Sequence, residues 1–338
     1  MGRFLPLATA LGALGALLGS CASLDTRLPD IGGAEALSVE RDRQQTAAFA
    51  DIAELQSRLM RVADPIRVAN AELCPRTRLG IGLKTHSLSN YAPRLRDAAR
   101  RELGAQDTPR VFVVVEGSPA ERAGIRRGDA LLVGGEAVSH SSRALLEALE
   151  SGRLAVQDPE GRVREVEVSP RLECAYDVKM RTGSSINAFA TGRSIVFSAG
   201  MIRFAESDDE LALIVGHELA HNTMGHVSKI VGSFILSLGQ TRHTRPFESE
   251  ADYVGLYYMA RAGFMVEGET GVEDVWRRLA LVSPRNTARA STHPTTPERF
   301  LRIRAARAEI AAKREAGLPL VPNFVDGEGD DAAAQEDT

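Results

Sequence analysis

The segment "GHELAHNTMGH", residues 216–226, constrains the fold more than any other part of the chain. It contains the pattern HExxH, in which His217 and His221 are four residues apart and Glu218 follows the first histidine. On an α-helix both imidazoles then lie on one face and can reach a single metal ion. Glu218 is rotated by roughly 100° and can take a proton from a metal-activated water. The alternative is a buried helix with two hydrogen-bonded histidines.

The residues just before this segment predict where its helix begins. Ser207 and Glu210 form the pattern of a capping box, and the apolar residues Leu211, Leu213 and Ile214 follow. The sequence therefore predicts a helix that starts near residue 207 and carries the HExxH pattern.

The third metal ligand is not evident from the segment alone. A metzincin would need glycine at 224 and histidine at 227, where this chain has Met224 and Val227. On a continuous helix His226 lies roughly 180° from His217. A sharp turn at Gly225 could change this, but helical spacing in "VSKIVGSFILSL" argues against an extended loop there. We therefore expect His226 to be a cap, a packing residue or an outer contact, with a ligand role as the alternative.

A second helix offers a better candidate. In "FESEADYVGLYYMARAGF", residues 247–264, Glu248 and Asp252 share a face, and Gly263 is a plausible C-terminal stop. Glu248 can complete a His, His, Glu zinc site, and Asp252 can accept a hydrogen bond from a ligand imidazole. A helix surface with three solvated acids is the alternative.

Four motifs in order carry a family resemblance: "NAFATGRSIVFSAGMI", "DELALIVGHELAH", "ESEAD" and "STHPTTPER". Together they resemble the zinc metallopeptidase family that contains the CAAX prenyl protease and bacterial quality-control proteases such as HtpX. The resemblance covers roughly residues 175–305. It implies one Zn²⁺ per chain, held by His217, His221 and Glu248, with Glu218 as the general base and Asp252 behind a ligand histidine.

The resemblance also implies the fold class. We expect an α+β protein: a mainly helical, minigluzincin-type zinc peptidase domain with a small β-sheet, plus an inserted β-rich domain. The transmembrane helices of the integral-membrane members have no counterpart here, so the chain is similar to the soluble, periplasmic branch.

Two further features gain meaning from the family. Residues 187–190, with Asn187, Ala188 and Phe189, and residues 194–197 predict a hairpin whose strand binds an extended substrate, or a hairpin that only serves the core. His293, before Pro294, is interpreted as an oxyanion-stabilising or gating residue, or as a simple loop histidine, and Arg299 as an anchor of that loop.

The N-terminus predicts export. Residues 1–20 have one charge, Arg3, and an apolar stretch that ends in small residues, as in a signal peptide. "LGSC" resembles a lipobox, which makes Cys21 the lipidated residue; an ordinary signal peptide is the alternative. We expect a lipid anchor on the periplasmic side of a bacterial envelope, at the outer membrane, because Ala22 replaces the aspartate that commonly retains lipoproteins in the inner membrane.

The stretch at 111–138, "VFVVVEGSPAERAGIRRGDALLVGGEAV", resembles the centre of a PDZ domain, with "RLGIGL" and "SSRALLEALE" extending the match. An unrelated small β domain is the alternative. Cys74 and Cys174 stand at the edges of this segment, and in an oxidising compartment they form a disulfide unless both remain reduced in the core.

The predicted domains are a signal peptide at 1–20, a tether at 21–40, N-terminal peptidase helices at 41–73, the PDZ-like insertion at 74–174, the zinc peptidase at 175–315 and an acidic disordered tail at 316–338. The N-terminal piece is expected to form one or two helices, with a break or kink at Pro65.

The predicted function is a zinc endopeptidase that cleaves extended or misfolded polypeptides in the envelope, with outer-membrane assembly machinery as a partner. The rival hypothesis is an assembly or chaperone factor that binds clients with little hydrolysis. The net charge of −4 gives no indication of nucleic-acid binding.

Overall fold

The computed structural model describes residues 29, 32–229, 245–266, 273–282 and 297–324. Several predictions lie outside these ranges: the signal peptide 1–20, the lipidated Cys21, the helical pattern from 230 to 238, the loop histidine His293 and the tail from 325 onward.

Helices form where apolar residues recur at helical spacing, and short strands form between glycine turns. The helices are α1 (Gly33–Ala69), α2 (Arg96–Leu103), α3 (Pro119–Arg122), α4 (Arg143–Leu149), α5 (Ala199–Phe204), α6 (Asp208–Thr223), α7 (Arg245–Arg261), α8 (Asp274–Val282) and α9 (Pro297–Glu315). The strands are β1 (Thr77–Gly80), β2 (Leu83–His86), β3 (Arg110–Val114), β4 (Ala130–Val133), β5 (Glu136–Val138), β6 (Arg153–Gln157), β7 (Val163–Glu167), β8 (Arg171–Cys174), β9 (Asp177–Arg181), β10 (Ala188–Ala190) and β11 (Ser194–Ser198).

The strands form four small sheets. Three are antiparallel: β1 with β8, β2 with β3, and the order β5-β4-β6-β7. The fourth has the order β10-β11-β9, in which β10 pairs antiparallel and β9 pairs parallel to β11. Helices and small sheets together confirm the predicted α+β class.

The chain divides into two compact units, residues 1–44 and 45–338. In the first unit the described part of α1 is largely exposed, and Gln44 donates a hydrogen bond to Glu40. The described residues of the second unit form two hydrophobic clusters. The larger joins α1, α6, α7 and the β10-β11-β9 sheet, and the smaller lies between β1 and residue 168 and is built from residues such as Leu83, Val111, Leu131, Leu145 and Val156.

The two ends of the segment with the smaller cluster are tied together. Cys74 and Cys174 form a disulfide with their Cα atoms 5.6 Å apart, and β1 pairs with β8 beside it. Buried Arg67 of α1 donates two hydrogen bonds to Glu173, at 2.9 and 2.8 Å, and Arg78 bridges Glu173 and Asp177. The disulfide therefore joins the two ends of the segment to each other. The salt bridges fix these ends to α1 and β9.

Two predicted boundaries are wrong. Helix α1 begins at Gly33 rather than at 41, and it continues through Pro65, which does not break it. The tail predicted as disordered from 316 is ordered to residue 324, because "GLPLVPNF" is apolar rather than acidic: Leu320 packs on the large cluster and the Asn323 backbone N–H donates to Tyr253.

Among the helices in the described ranges, none is both long and apolar enough to cross a membrane.

Lys84 is a further link between the segment and β9. Its Nζ donates to the carbonyl of Val178 at 2.6 Å. Burial disfavours the charge on Nζ and, with neighbouring cations opposing Asp177, lowers the pKa of Lys84 to about 8.

This lowered pKa predicts a pH effect on stability. Between pH 8 and 10.5 the unfolded chain holds the Lys84 proton more strongly than the folded chain does, so stability rises with pH in that window. We expect Lys84→Met to remove a slope of up to about 1.4 kcal/mol per pH unit. Urea unfolding of both proteins from pH 7 to 10 measures it. Exposed Lys229, which is not among the charges that act on Lys84, supplies the control, since Lys229→Met should keep the wild-type slope.

Candidate metal centre

Helices α6 and α7 approach each other so closely that only glycine fits at their contact. A Cβ atom on Gly216 would lie 2.5 Å from the carbonyl oxygen of Gly255, and a Cβ on Gly255 would lie 2.7 Å from the backbone nitrogen of His217. Two backbones in direct contact bring the next residues of each helix together. His217, directly after Gly216, and Asp252, about one turn before Gly255, therefore face each other.

Helix α6 begins as predicted, with one difference. The Ser207 side chain caps the helix by accepting a hydrogen bond from the backbone N–H of Glu210. The Glu210 carboxylate does not return to Ser207; it accepts from the backbone of Glu206 and from Arg278 of α8. The start of the metal-binding helix is thus tied to α8.

His217, His221 and Glu248 form a cluster with the dimensions of a metal site. The two Nε2 atoms are 3.1 Å apart, and each lies 3.4 Å from an oxygen of Glu248. Ligand atoms at zinc–nitrogen and zinc–oxygen distances around a tetrahedral ion are separated by about 3.3 Å. These residues therefore fit a zinc ion. Among the described residues, these three side chains bring their ligand atoms within 4.8 Å of one another, close enough to share one metal ion.

The cluster is almost dry. His217 is fully buried, and Glu218, His221 and Glu248 are each at most 4% exposed. Burial opposes a charge on His217, but the hydrogen bond with Asp252 and the charges of Asp252 and Glu248 outweigh it and raise the pKa of His217 to about 9. Burial also lowers the pKa of His221, and the neighbouring His217 adds to this. The carboxylates thus make the pocket attractive to a cation.

An outer layer supports His217. Its Nδ1 lies 2.9 Å from Asp252, and Arg299 of α9 donates two hydrogen bonds to the same carboxylate. Burial raises the pKa of Asp252, but Arg299 dominates and keeps it lowered. The Arg299 guanidinium also stacks 4.8 Å from the ring of Trp276, whose ring is 5.4 Å from that of His217. Arg299 acts on the metal helix through Asp252; its predicted loop lies outside the described residues.

His226 departs from the helical geometry assumed above. Helix α6 ends at Thr223, and Gly225 has a positive φ of 70°, a conformation that glycine adopts without strain. The chain turns there, and Nδ1 of buried His226 lies 3.0 Å from Nδ1 of His221. The sharp turn at Gly225 is therefore present, and residues 226–229 are helical rather than an extended loop. His226 is an outer contact of His221, one of the predicted roles.

The predicted hairpin is present, with β10 paired to β11, and it is fastened to α6 by a residue that the sequence did not single out. Asn222, directly after His221, accepts a hydrogen bond from the Gly192 backbone N–H at 2.6 Å and donates to the Ser194 carbonyl at 3.1 Å. An asparagine at the end of a helix is common, so only its adjacency to the HExxH pattern could have drawn attention to it. Asn222 couples the turn of the hairpin to the metal helix.

Comparisons with known proteins agree with this geometry. Residues 162–238 and 229–307 match the sequence model of peptidase family M48. The chain is 29% identical over 181 residues to "Mitochondrial metalloendopeptidase OMA1" of Schizosaccharomyces pombe, covering 45% of this chain and 52% of that protein. The matches make the chain similar to metallopeptidases and agree with the enzyme class that the sequence predicts.

Two other relatives cover shorter portions. A "Putative beta-barrel assembly-enhancing protease" of Vibrio cholerae is 28% identical over 155 residues, 34% of this chain and 31% of that protein. The OMA1 metalloendopeptidase of Arabidopsis thaliana is 26% identical over 114 residues, 27% of this chain and 23% of that protein. This chain thus spans about half or less of the length of these relatives.

The glycine contact predicts a sharp effect of one methyl group. In Gly255→Ala the new Cβ would collide with the His217 backbone, so the helices must separate. We expect loss of bound zinc and a lower free energy of unfolding, by roughly 1–3 kcal/mol. Metal analysis after dialysis and urea unfolding measure the two effects. Gly183→Ala is the matched control, because the nearest atom to its Cβ, the Ser185 Oγ, is 4.0 Å away. Full zinc occupancy in Gly255→Ala would contradict the prediction.

Proposed function

We propose that this protein is a zinc endopeptidase that cleaves extended or unfolded polypeptides in a bacterial cell envelope. The observation that carries the proposal is the buried cluster of His217, His221 and Glu248, with Glu218 on the same helix. A pure binding protein has no need of this buried glutamate beside three metal-type ligands, because taking a carboxylate out of water costs free energy. The dry pocket favours hydrolysis over the rival role of a chaperone.

In this proposal His217, His221 and Glu248 hold one zinc ion per chain. Zinc, when bound, lowers the pKa of a water and polarises the scissile carbonyl. Glu218 takes the proton from the attacking water and then delivers it to the leaving nitrogen. Asp252 holds His217 in the tautomer that exposes Nε2 to the metal.

An extended substrate can bind by adding a strand to the sheet. Strand β10 is an edge in the order β10-β11-β9 of the described strands, and Asn187, Ala188 and Phe189 belong to it or directly precede it. An edge strand offers backbone donors and acceptors to a peptide regardless of its sequence. This mode of binding suits unfolded chains, and the Asn222 bonds keep the hairpin in a fixed position beside the metal helix.

The segment between Cys74 and Cys174 is proposed to be a PDZ-like domain that captures substrates or controls access. Part of the segment forms a hydrophobic cluster of its own, and its β-rich composition also supports this role. The disulfide between its two ends and the salt bridge between Arg67 and Glu173 would hold it firmly against the rest of the protein.

The proposed location is the periplasmic side of the outer membrane, with a lipid anchor on Cys21. The sequence of residues 1–21 supports export and lipidation. The Vibrio cholerae relative carries the description of a beta-barrel assembly-enhancing protease, and proteins of that architecture reside in outer membranes. This supports outer-membrane assembly machinery and its misfolded clients as partners.

Replacement of the general base tests the activity. We expect Glu218→Gln to bind one zinc per chain, as the wild type does, and to cleave reduced, fluorescein-labelled casein about 10²- to 10⁴-fold more slowly. The exposed Glu54 of α1 gives a matched control, Glu54→Gln, with wild-type activity. Equal rates for Glu218→Gln and wild type would reject the peptidase. Restoration of a deletion strain by Glu218→Gln would favour the chaperone.

Loss of the Asn222 bonds should affect substrate binding more than chemistry. Asn222→Ala removes both hydrogen bonds to the hairpin turn, each worth about 1 kcal/mol, so β10 is held less firmly. We expect KM for a fluorogenic peptide to rise on the order of tenfold with kcat within about twofold. Thr223→Val is the control at the next position, since Thr223 bonds to Ala220 and Tyr258 instead. A fall in kcat alone would contradict the role.

A further inference from the structure

The two ligand histidines each have a buried partner on the side away from the metal cluster. Asp252 stands behind His217, and His226 stands behind His221, with Nδ1-to-Nδ1 contact at 3.0 Å. The Nε2 atom of His226 in turn lies 2.7 Å from the Glu250 carboxylate. The three side chains form a line: Glu250, His226, His221. Glu250 and His226 have no role in the proposed hydrolysis itself.

The proton positions along this line follow from the chemistry of imidazole. Nε2 of His221 belongs to the metal cluster and must offer a lone pair there, so its Nδ1 carries the proton. That N–H donates to Nδ1 of His226, which accepts only if its own proton is on Nε2. The Nε2–H then donates to Glu250, and a carboxylate is an acceptor. A single arrangement of protons satisfies every contact.

The surroundings hold His226 in this role. The ring is fully buried and packs against Phe247 of α7, with ring centres 4.8 Å apart. Its backbone follows the turn at Gly225, which directs the chain back toward α6. A ring that is packed, turned and bonded on both nitrogens has little freedom.

We propose that His226 and Glu250 are positioning residues that fix the tautomer and orientation of His221 and thereby strengthen metal binding. The proposal rests on the zinc peptidase proposed above. Polarisation through the line also makes Nε2 of His221 a better donor to the ion, as partners of ligand histidines do in general. His226 is therefore not a ligand, because its nearest contact is the outer nitrogen of His221 rather than Nε2.

A cycle of variants in the full chain tests this through metal affinity rather than activity. Trp276 is the only tryptophan of the sequence, and its ring lies 5.4 Å from that of His217. Co²⁺ absorbs visible and near-ultraviolet light when bound and quenches a neighbouring indole, so Co²⁺ titration followed by fluorescence gives its Kd. Competition with Zn²⁺ then gives the Zn²⁺ affinity.

We expect His226→Phe, which keeps a packed ring without hydrogen bonds, to weaken metal binding by about 10- to 100-fold. Glu250→Gln should weaken it less, because an amide oxygen still accepts the hydrogen bond without the charge. The double variant should equal His226→Phe, since Glu250 acts only through His226. A purely structural role would lower affinity and urea midpoint together; here the urea midpoint of Glu250→Gln stays at the wild-type value.

Glu54→Gln, the same chemical change on an exposed position of α1, should leave metal affinity unchanged. The proposal is overturned if His226→Phe binds metal with wild-type affinity. It is also overturned if adding Glu250→Gln to His226→Phe weakens metal binding as much as Glu250→Gln does alone. The peptidase proposal would fail in a different experiment. If the wild-type protein binds metal but cleaves no polypeptide, the proposed activity is rejected, and the assignment of His226 and Glu250 as positioning residues still stands.

Discussion

The contact between Gly216 and Gly255 is the constraint on which the site depends. Neither helix carries a full metal site: α6 has two histidines and a glutamate, and α7 has acids. His217 and Asp252, which are 2.9 Å apart, face each other beside the place where the two helices are closest. With glycine at both positions, the carbonyl of one helix lies against the backbone of the other. Packing thus decides whether a ligand set exists.

Charge balance is the second requirement of a dry pocket. Glu218, Glu248 and Asp252 are all buried, and three buried carboxylates repel one another strongly. Arg299 offsets part of this charge through Asp252, and its Nη1 lies 3.7 Å from Glu248. The remaining negative charge favours a cation near His217 and His221. The acids that build the site therefore also select for a divalent metal, whose charge compensates them.

Local patterns predicted most of the elements, and the family resemblance predicted the residues that cluster in the candidate metal centre. Neither predicted the features that depend on the path of the chain. The cap at Ser207, the stop after Arg261 and the shared face of Glu248 and Asp252 follow from local rules. The turn at Gly225 does not, because a single glycine allows a sharp turn without requiring one. The partners of Asn222 and Glu250 are 24 to 30 residues away, and no local pattern encodes such distances.

The acids of α7 show how the two supporting arms arise from one short motif. In "ESEAD" the acids occupy alternate positions, whereas a helix places only residues three or four apart on a common face. Glu248 and Asp252 therefore face α6 together, and Glu250 points roughly 200° away from Glu248. Glu250 is linked to the metal cluster through His226, which the turn at Gly225 places between Glu250 and His221. One helix thus serves both ligand histidines, His217 directly through Asp252 and His221 through an imidazole supplied by the chain that follows α6.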